Sequence, residues 1–274
     1  MDNLEFESLT AEELKKYVDT HSEKSYLLID VRQPAEYAED HIPGAKLMPL
    51  SEVETNLFTL PPDRDLIFYC TNGGRSQWAA SLAGEREVCE KNVYHLMDGL
   101  RAWEGKKLSG YPKVRIFDKD QNFEQLLSTA MDLEKGAWRF YNYTSEKFRD
   151  EPIRPLLEQI SIAEKAHARL IYRILKKFKK NPSPFELMYQ RLEGEILEGG
   201  QTFEDTCRRL ESIENHRCLR IIDLALTIEY TAFDLYRQMA ERIEDTDART
   251  VFLSLAQTEK AHMQTLTHAI AQCP

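Results

Sequence analysis

A glutamate followed by a Glu-x-x-His sequence occurs twice in the second half of this chain, and the two copies stand 95 residues apart. In each copy, a single glutamate precedes the Glu-x-x-His sequence by thirty residues. The Glu and His of that sequence lie three residues apart, so both project from one face of a helix. Four helices that carry such carboxylates and imidazoles can hold two metal ions between them. The six candidate ligands are Glu134, Glu164, His167, Glu229, Glu259 and His262.

This ligand pattern belongs to an internal repeat that covers residues 130–171 and 225–266. A lone Glu-x-x-His sequence is usually an exposed polar pair, but two copies at one spacing are difficult to obtain by chance on a surface. Each copy is predicted to form two helices, with Tyr141 or Tyr236 two turns beyond the single glutamate on the same helix face. The repeat therefore favours a two-metal site, whose oxygen and nitrogen donors suit iron or manganese.

A cysteine in the first half of the chain has the surroundings of a reactive thiol. Cys70 follows an apolar run at residues 66–69 and precedes a helical segment, so backbone N–H groups and the helix dipole favour its thiolate. Such a thiolate can accept a sulfur atom and hold it as a persulfide. The alternative is a buried cysteine that serves only packing. The predicted catalytic residues are Cys70 and Arg75, and the predicted substrate-binding loop comprises Thr71, Asn72, Gly73, Gly74 and Ser76.

Short apolar runs alternate with helical segments throughout residues 1–112. Strands separated by helices indicate a parallel α/β sheet, whose working residues gather at the carboxyl ends of the strands. Both Asp30 and Cys70 stand at such an end. The predicted strands are 26–29, 66–69 and 93–96, and the predicted helices are 11–17, 34–39 and 76–87.

Long helical periodicity replaces this alternation in the second predicted domain, residues 121–274, and residues 113–120 are the predicted linker. The fold class is therefore a two-domain chain, an α/β parallel-sheet domain followed by an all-α four-helix bundle. A long connection, residues 185–214, must join the two repeats, and Phe203, Leu210 and Ile213 predict that part of it is helical. The four long helices are expected at 122–148, 152–179, 216–242 and 246–271.

The composition is that of a soluble globular protein, with 42% hydrophobic and 30% charged residues among 274. A net charge of −10 argues against nucleic acid as a partner. The sequence contains no run of eighteen apolar residues, so we expect no membrane-spanning helix. The polar N-terminal stretch is unlike a secretory signal, so we expect a cytoplasmic location. Five cysteines without a Cys-x-x-Cys sequence argue against a disulfide framework. Cys207 and Cys218 are weaker candidates for a resolving thiol.

Short motifs throughout residues 1–112 together resemble a single-domain rhodanese. Four residues separate Cys70 from Arg75, as in sulfur-transferring rhodaneses, whereas phosphatases of this fold have five. The resemblance implies a sulfurtransferase that takes sulfane sulfur from thiosulfate or a persulfide and passes it to a thiol or cyanide. Asp30 and Arg32 are expected to stabilise the loop and the domain. Glu36 and His41 are expected to be structural residues. The motifs are Asp30-Val31-Arg32, Glu36-Tyr37, His41-Ile42-Pro43-Gly44-Ala45, the loop from Cys70 to Ser76, 98–103 and 110–112.

The ligand set and the tyrosines of residues 121–274 resemble the rubrerythrin branch of the ferritin-like superfamily. The resemblance implies two iron ions, with manganese or a mixed pair as alternatives, and hydrogen bonds from Tyr141 and Tyr236 to ligand carboxylates. It also implies a peroxidase or oxidase that forms a homodimer and takes electrons from an external donor, because no rubredoxin-like domain accompanies the bundle. Ala232 stands where rubrerythrins usually place a further glutamate, which weakens the peroxidase interpretation.

Three functions remain open at this point. The first is an enzyme that forms a Cys70 persulfide and reduces peroxide or oxygen at a diiron centre. The second is a sulfur carrier joined to a bundle that stores or senses metal without redox turnover. The third is a partner-binding protein with an empty bundle, which the retention of Cys70 and of all six ligands disfavours.

Overall fold

Three buried apolar runs form the centre of a five-stranded parallel sheet in the first half of the chain. Alternate residues of the central strands enter different core clusters, with Leu27 and Ile29 in one and Tyr26 and Leu28 in the other. Both faces of the sheet are therefore covered, as parallel sheets require. The strands, in the spatial order β1-β5-β4-β2-β3, are β1 (Glu7–Leu9), β2 (Tyr26–Asp30), β3 (Lys46–Leu47), β4 (Asp65–Tyr69) and β5 (Val93–Leu96).

Four helices connect and cover these strands. Thr10 begins the first of them with a capping box, in which its side chain accepts from the Glu13 N–H and the Glu13 side chain accepts from the Thr10 N–H. The three central strands and three of the helices match the predicted positions closely, whereas β1, β3 and α3 are short elements that the sequence pattern did not reveal. The helices are α1 (Ala11–Thr20), α2 (Pro34–Glu39), α3 (Leu50–Asn56) and α4 (Gly74–Glu85).

This computed structural model describes residues 6–110 and 123–274. Contacts between Cα atoms divide the chain into two compact units, Met1–Tyr111 and Pro112–Pro274. The predicted linker, residues 113–120, lies outside the described residues.

Within residues 123–274, the second unit contains four long α-helices and two short ones. α5 packs against α6, α9 packs against α10, and α6 also contacts α10. The expected four-helix bundle is confirmed, and the helical part of the long connection is confirmed at α8. The helices are α5 (Phe123–Lys147), α6 (Arg154–Phe178), α7 (Phe185–Arg191), α8 (Phe203–Glu211), α9 (Arg217–Arg242) and α10 (Thr246–Ala269).

A disulfide joins Cys218 at the start of α9 to Cys273 near the end of the chain. The number and spacing of the cysteines predicted no disulfide framework, and this prediction was wrong. The two cysteines are 55 residues apart, so no short spacing signals that helix packing brings them together. Among the residues described, no helix combines the length and the apolar character that crossing a bilayer requires.

Candidate functional site

Cys70 lies directly after β4, at the start of a loop that leads into α4. The backbone N–H of Gly73 donates a hydrogen bond to the Cys70 Sγ atom over 3.2 Å. Gly73 has a φ of +91°, and a Cβ atom there would lie 1.7 Å from the carbonyl oxygen of Met97. Only glycine fits this position, so the curl of the loop around the sulfur depends on it.

The loop lowers the pKa of the Cys70 thiol below its ordinary value of 9.0. Burial alone would raise this pKa, but hydrogen bonds from the backbone N–H groups of Ser76, Asn72 and Gly73 outweigh burial. Cys70 itself is buried, whereas Asn72 and Gly74 on the loop are exposed. Because the thiolate is the nucleophilic form of cysteine, these N–H groups favour the reactive state.

Arg75 forms a two-pronged ion pair with Glu36 of α2, in which the Nη1–Oε2 and Nη2–Oε1 distances are both 2.7 Å. The Thr71 hydroxyl joins this pair, donating to Glu36 Oε1 over 2.9 Å and accepting from Arg75 Nη2 over 3.0 Å. Hydrogen bonds from Arg75 lower the pKa of Glu36 to about 2. Glu36 was expected to be a structural residue, but the structure places it in direct contact with the predicted catalytic arginine.

A single helical turn at Gly99–Arg101 holds the loop from the β5 side. The Leu100 N–H donates to the Cys70 carbonyl over 2.7 Å, and the Arg101 N–H donates to the Thr71 carbonyl over 3.2 Å. These bonds satisfy loop carbonyls that neither β4 nor α4 can reach. The position of Cys70 therefore depends on a turn about thirty residues further along the chain.

Asp30 and Arg32 form a buried ion pair, with 2.7 Å between Arg32 Nη2 and Asp30 Oδ2. Asp30 is paired in register with Tyr69, the residue that precedes Cys70. The ion pair thus lies beside the strand end that carries the loop. His41 stacks on the Tyr37 ring with 4.0 Å between the ring centroids.

The repeat brings its buried acidic and imidazole side chains together at the centre of the bundle. Nδ1 of His167 lies 3.2 Å from Glu134 Oε2, 3.1 Å from Glu164 Oε2 and 3.1 Å from Glu259 Oε1. One potential ligand atom from each of these four residues falls within 4.8 Å of the others. This first group contains one glutamate of α5, both residues of the first Glu-x-x-His sequence and the glutamate of the second.

A second group mirrors the first. Nδ1 of His262 lies 3.0 Å from Glu229 Oε2, 3.2 Å from Glu259 Oε2 and 3.7 Å from Glu164 Oε1. Glu164 and Glu259 belong to both groups, each offering one carboxylate oxygen to either side. The six predicted ligands are thus brought together as two four-residue groups with two shared carboxylates.

The two tyrosines of the repeat cross over between its halves. The Tyr141 hydroxyl donates to Glu229, and the Tyr236 hydroxyl donates to Glu134. Both tyrosines are completely buried, and burial followed by the charge of the bonded glutamate raises the pKa of each phenol. Each hydroxyl therefore stays protonated and orients a carboxylate of the opposite repeat.

Burial and mutual repulsion change the protonation of the carboxylates. Burial raises the pKa of Glu229 to about 7, and burial together with the charge of Glu259 raises the pKa of Glu164. Burial also acts to raise the pKa of Glu259, but the charges and hydrogen bonds of the two histidines lower it on balance. Burial disfavours the charged form of His262, yet bonds to Glu229 and Glu259 raise its pKa to about 11. Without a cation, the imidazoles must supply the positive charge.

The carboxylate oxygens of the two groups are better satisfied by metal ions than by the available hydrogen-bond donors. Neither Glu134 Oε2 nor Glu259 Oε1 has a hydrogen-bond partner within the described part of the chain, although both lie close to His167 Nδ1. One Nδ1 hydrogen cannot serve three carboxylates at once, and buried oxygens without donors cost free energy. A divalent cation in each group would satisfy these oxygens together.

One buried carboxylate near the site could not be predicted from the sequence pattern. Glu198, in the segment between α7 and α8, is 2% exposed. Burial, followed by the charges of Glu134 and Glu164, raises its pKa. Glu198 lies outside the repeat, so no spacing identified it.

The two thiols suggested for a resolving role do not fit that role. Cys218 is bonded to Cys273, and burial raises the pKa of Cys207 to about 11. Burial also raises the pKa of Cys89. Of the cysteines within the described residues, only Cys70 has a lowered pKa.

Family models match both units of the chain. A model of the rhodanese-like domain matches residues 10–106, and a model of rubrerythrin matches residues 125–217. The chain joins a rhodanese-like domain to a rubrerythrin domain. The α/β unit that carries Cys70 is the rhodanese-like domain, and the bundle that carries the two ligand groups is the rubrerythrin domain.

Three relatives illustrate this similarity. The chain is 38% identical over 98 residues to the probable adenylyltransferase/sulfurtransferase MoeZ of Mycobacterium tuberculosis. The aligned region covers 35% of this chain but only 24% of MoeZ. It is 35% identical over 77 residues to a sulfurtransferase of Allochromatium vinosum, covering 28% of this chain and 70% of that protein. It is 37% identical over 151 residues to the uncharacterized 16.5 kDa protein in the psaL 5′ region of Synechococcus elongatus, covering 52% of this chain and 89% of that protein.

Proposed function

We propose that this protein is a sulfurtransferase that forms a persulfide on Cys70, fused to a diiron carboxylate bundle that reduces peroxide or oxygen. The observation that carries the first activity is the Cys70 sulfur, whose pKa is lowered by three backbone N–H groups of one loop. Relatives whose names include sulfurtransferase support the same assignment.

The transfer would proceed in two displacements at sulfur. The Cys70 thiolate attacks the outer sulfur of thiosulfate, a new S–S bond forms, and sulfite leaves with the electron pair of the broken S–S bond. A cyanide ion or a thiolate then attacks the outer sulfur of the persulfide, and the Cys70 thiolate leaves. The N–H groups of Asn72, Gly73 and Ser76 stabilise the anionic sulfur at the start and at the end. Arg75, held by Glu36, supplies positive charge at the rim of the loop.

In the bundle, Glu134 and His167 would hold one metal and Glu229 and His262 the other, with Glu164 and Glu259 available to both. When ferrous iron is bound, the pair supplies the two electrons that convert hydrogen peroxide and two protons to two water molecules. Tyr141 and Tyr236 keep the terminal glutamates oriented through their hydroxyl hydrogen bonds. An external donor must return the electrons. Iron is our choice, and manganese or a mixed pair has the same donor requirements.

The alternative function is a sulfur carrier joined to a bundle that stores or senses metal without redox turnover. It is favoured by Ala232 of α9, a buried residue one turn beyond Glu229 that offers no carboxylate. Stopped-flow mixing of the ferrous protein with hydrogen peroxide and with oxygen separates the two proposals. Faster oxidation by peroxide supports a peroxidase, faster oxidation by oxygen supports an oxidase, and slow oxidation by both supports storage or sensing.

The sulfurtransferase assignment is tested by mass spectrometry and by thiocyanate formation. Incubation with thiosulfate should add about 32 Da, one sulfur atom, to the peptide that contains Cys70. The Cys70→Ser variant should lose both the added mass and thiocyanate formation from cyanide, whereas Cys89→Ser should keep both. Full activity of the Cys70→Ser variant would refute the assignment.

A cytoplasmic location and a homodimer are further proposals. The Cys218–Cys273 disulfide counts against the reducing compartment, because structural disulfides are rare there. Size-exclusion chromatography with light scattering tests the dimer. Treatment of intact cells with an alkylating reagent, followed by mass spectrometry of the protein, shows whether Cys218 and Cys273 are free thiols or a disulfide inside the cell.

A further inference from the structure

The segment that joins the two halves of the bundle lies directly against the helices that carry the ligand groups. A Cβ atom at Gly136 of α5 would lie 2.3 Å from the carbonyl oxygen of Ile196, so only glycine permits this approach. A Cβ atom at Gly199 would lie 2.8 Å from the Thr231 hydroxyl oxygen of α9. The segment therefore passes between position 136, two residues after Glu134, and position 231, two residues after Glu229.

Several hydrogen bonds hold the segment in this place. Arg139 Nη1 donates to the carbonyls of Glu193 and Gly194 over 2.7 and 3.0 Å. The Gly194 N–H donates to Asp132 Oδ1 over 3.0 Å. Leu197 is completely buried, and its N–H donates to the Gln201 carbonyl over 2.9 Å. These bonds fix the backbone on the N-terminal side of residue 198, so the position from which its side chain extends is fixed as well.

That side chain is the carboxylate of Glu198. It is 2% exposed, and its Oε2 atom is fully buried without a hydrogen-bond partner among the residues described. The charges of Glu134, Glu164 and Glu259, the three carboxylates of the first ligand group, all act on it. A buried carboxylate oxygen without a donor costs free energy, and placing it beside three further carboxylates adds to that cost. Without a cation the Glu198 carboxyl group is held in its protonated form, and a cation beside it would stabilise the charged form.

We propose that Glu198 is an additional ligand of the first metal, the one held by Glu134, Glu164, His167 and Glu259. This inference rests on the proposed two-metal site. Because the connecting segment occurs once, between the two repeats, Glu198 has no counterpart in the second group. The two metals are therefore inequivalent, because the first has one more carboxylate ligand than the second. This difference arises although the four helices that hold the metals form an internal repeat.

The substitution Glu198→Gln tests the proposal, because it keeps the volume of the side chain and removes its charge. Glu195→Gln is the matched control, since Glu195 is an exposed glutamate of the same segment. Titration of each metal-free protein with Co²⁺, followed by calorimetry and by visible absorption, reports the affinity and the coordination of each metal without any turnover. Thermal unfolding of the metal-free proteins reports whether Glu198 has a merely structural role.

We expect the wild type and Glu195→Gln to bind two Co²⁺ ions per chain. Glu198→Gln should bind one of them about 10- to 100-fold more weakly, with a changed absorption band for that ion and an unchanged band for the other. Metal-free Glu198→Gln should unfold at the same temperature as the metal-free wild type or at a higher one, because the substitution replaces a buried carboxyl group, whose charged form is costly, by a neutral amide.

Unchanged affinity and absorption in Glu198→Gln would overturn the inference and leave the two-metal site in place. Weaker binding with unchanged absorption bands would also overturn it, as would equal weakening of both ions accompanied by lower stability of the metal-free variant, since both point to a structural role. Binding of fewer than two ions by the wild type is a different result. It refutes the proposed metal site itself, and this inference with it.

Discussion

Tyr141 of the first repeat donates its hydroxyl hydrogen bond to Glu229 of the second, and the reverse bond joins Tyr236 to Glu134. Each half of the bundle thus orients a terminal carboxylate of the other half. Loss of one bond should therefore disturb the metal on the opposite repeat.

The Tyr141→Phe variant is expected to bind metal about 10- to 100-fold more weakly, because the Glu229 carboxylate loses the group that orients it. Tyr236→Phe should produce an effect of similar size through Glu134. Calorimetric titration with Mn²⁺ measures both. Tyr143→Phe is the control, since Tyr143 bonds an exposed glutamate, Glu211, away from the ligand groups. Equal affinities in all four proteins would contradict the ligand-orienting role.

Glu164 and Glu134 should differ in their effects on metal content. Glu164 belongs to both ligand groups, whereas Glu134 belongs to one. Glu164→Ala is expected to lower the occupancy of both metals, and Glu134→Ala mainly that of one. Metal analysis after equilibrium dialysis gives the number bound per chain. Loss of a single metal in both variants would show that Glu164 is not shared.

The low pKa of Cys70 predicts the pH at which it is alkylated. The rate of modification by iodoacetamide follows the thiolate fraction, so its midpoint should lie below pH 9.0 at Cys70 and above that value at Cys89. Peptide mapping after short pulses at each pH distinguishes the two sites. A midpoint at Cys70 equal to or higher than that at Cys89 would show that the loop does not stabilise the thiolate.

The Arg75–Glu36 pair predicts a pH-dependent contribution to stability. Hydrogen bonds from Arg75 lower the pKa of Glu36 from 4.5 to about 2. The contribution should therefore be complete above about pH 5 and disappear as the pH falls towards 2, when Glu36 takes up a proton. Both side chains are about one-third exposed, so Glu36→Gln should cost no more than about 1 kcal/mol at pH 7.

Urea unfolding of the wild type and Glu36→Gln at several pH values measures this difference. Glu39→Gln, an exposed glutamate of the same helix, serves as the control. A difference that stays constant from pH 7 to pH 2.5 would be inconsistent with the ion pair. Sulfurtransferase activity should also fall in Glu36→Gln, because Arg75 and Thr71 lose the group that holds them over the loop.

The disulfide predicts a redox-dependent stability. Cys273→Ser should lower the free energy of unfolding by about 2–4 kcal/mol under oxidising conditions, because the bond restricts the unfolded chain. Under dithiothreitol, the variant and the wild type should unfold at nearly the same denaturant concentration. Cys207→Ser, at a free thiol, is the control. Equal stability of Cys273→Ser and the wild type without reductant would show that the bond contributes nothing.

Local patterns in the sequence determined the architecture of both units. The strands around Leu28 and Phe68 follow from short apolar runs between helical segments, and the bundle follows from helical periodicity repeated at one spacing. The six candidate metal ligands and Cys70 could be identified for the same reason, because each stands at a defined position of a regular element. The short strands β1 and β3 could not, since two or three residues make a strand only through their partners in the sheet.

Tertiary structure decided which residues distant in the sequence become neighbours. Glu36 lies 39 residues before Arg75, Glu198 belongs to a connection without periodicity, and Cys218 meets Cys273 across 55 residues. Sequence spacing predicts contacts only within an element or between copies of a repeat, because there the distance along the chain defines the distance in space. For these residues the packing of separate elements defines the distance, and burial then makes each charge or thiol depend on the partner that packing supplies.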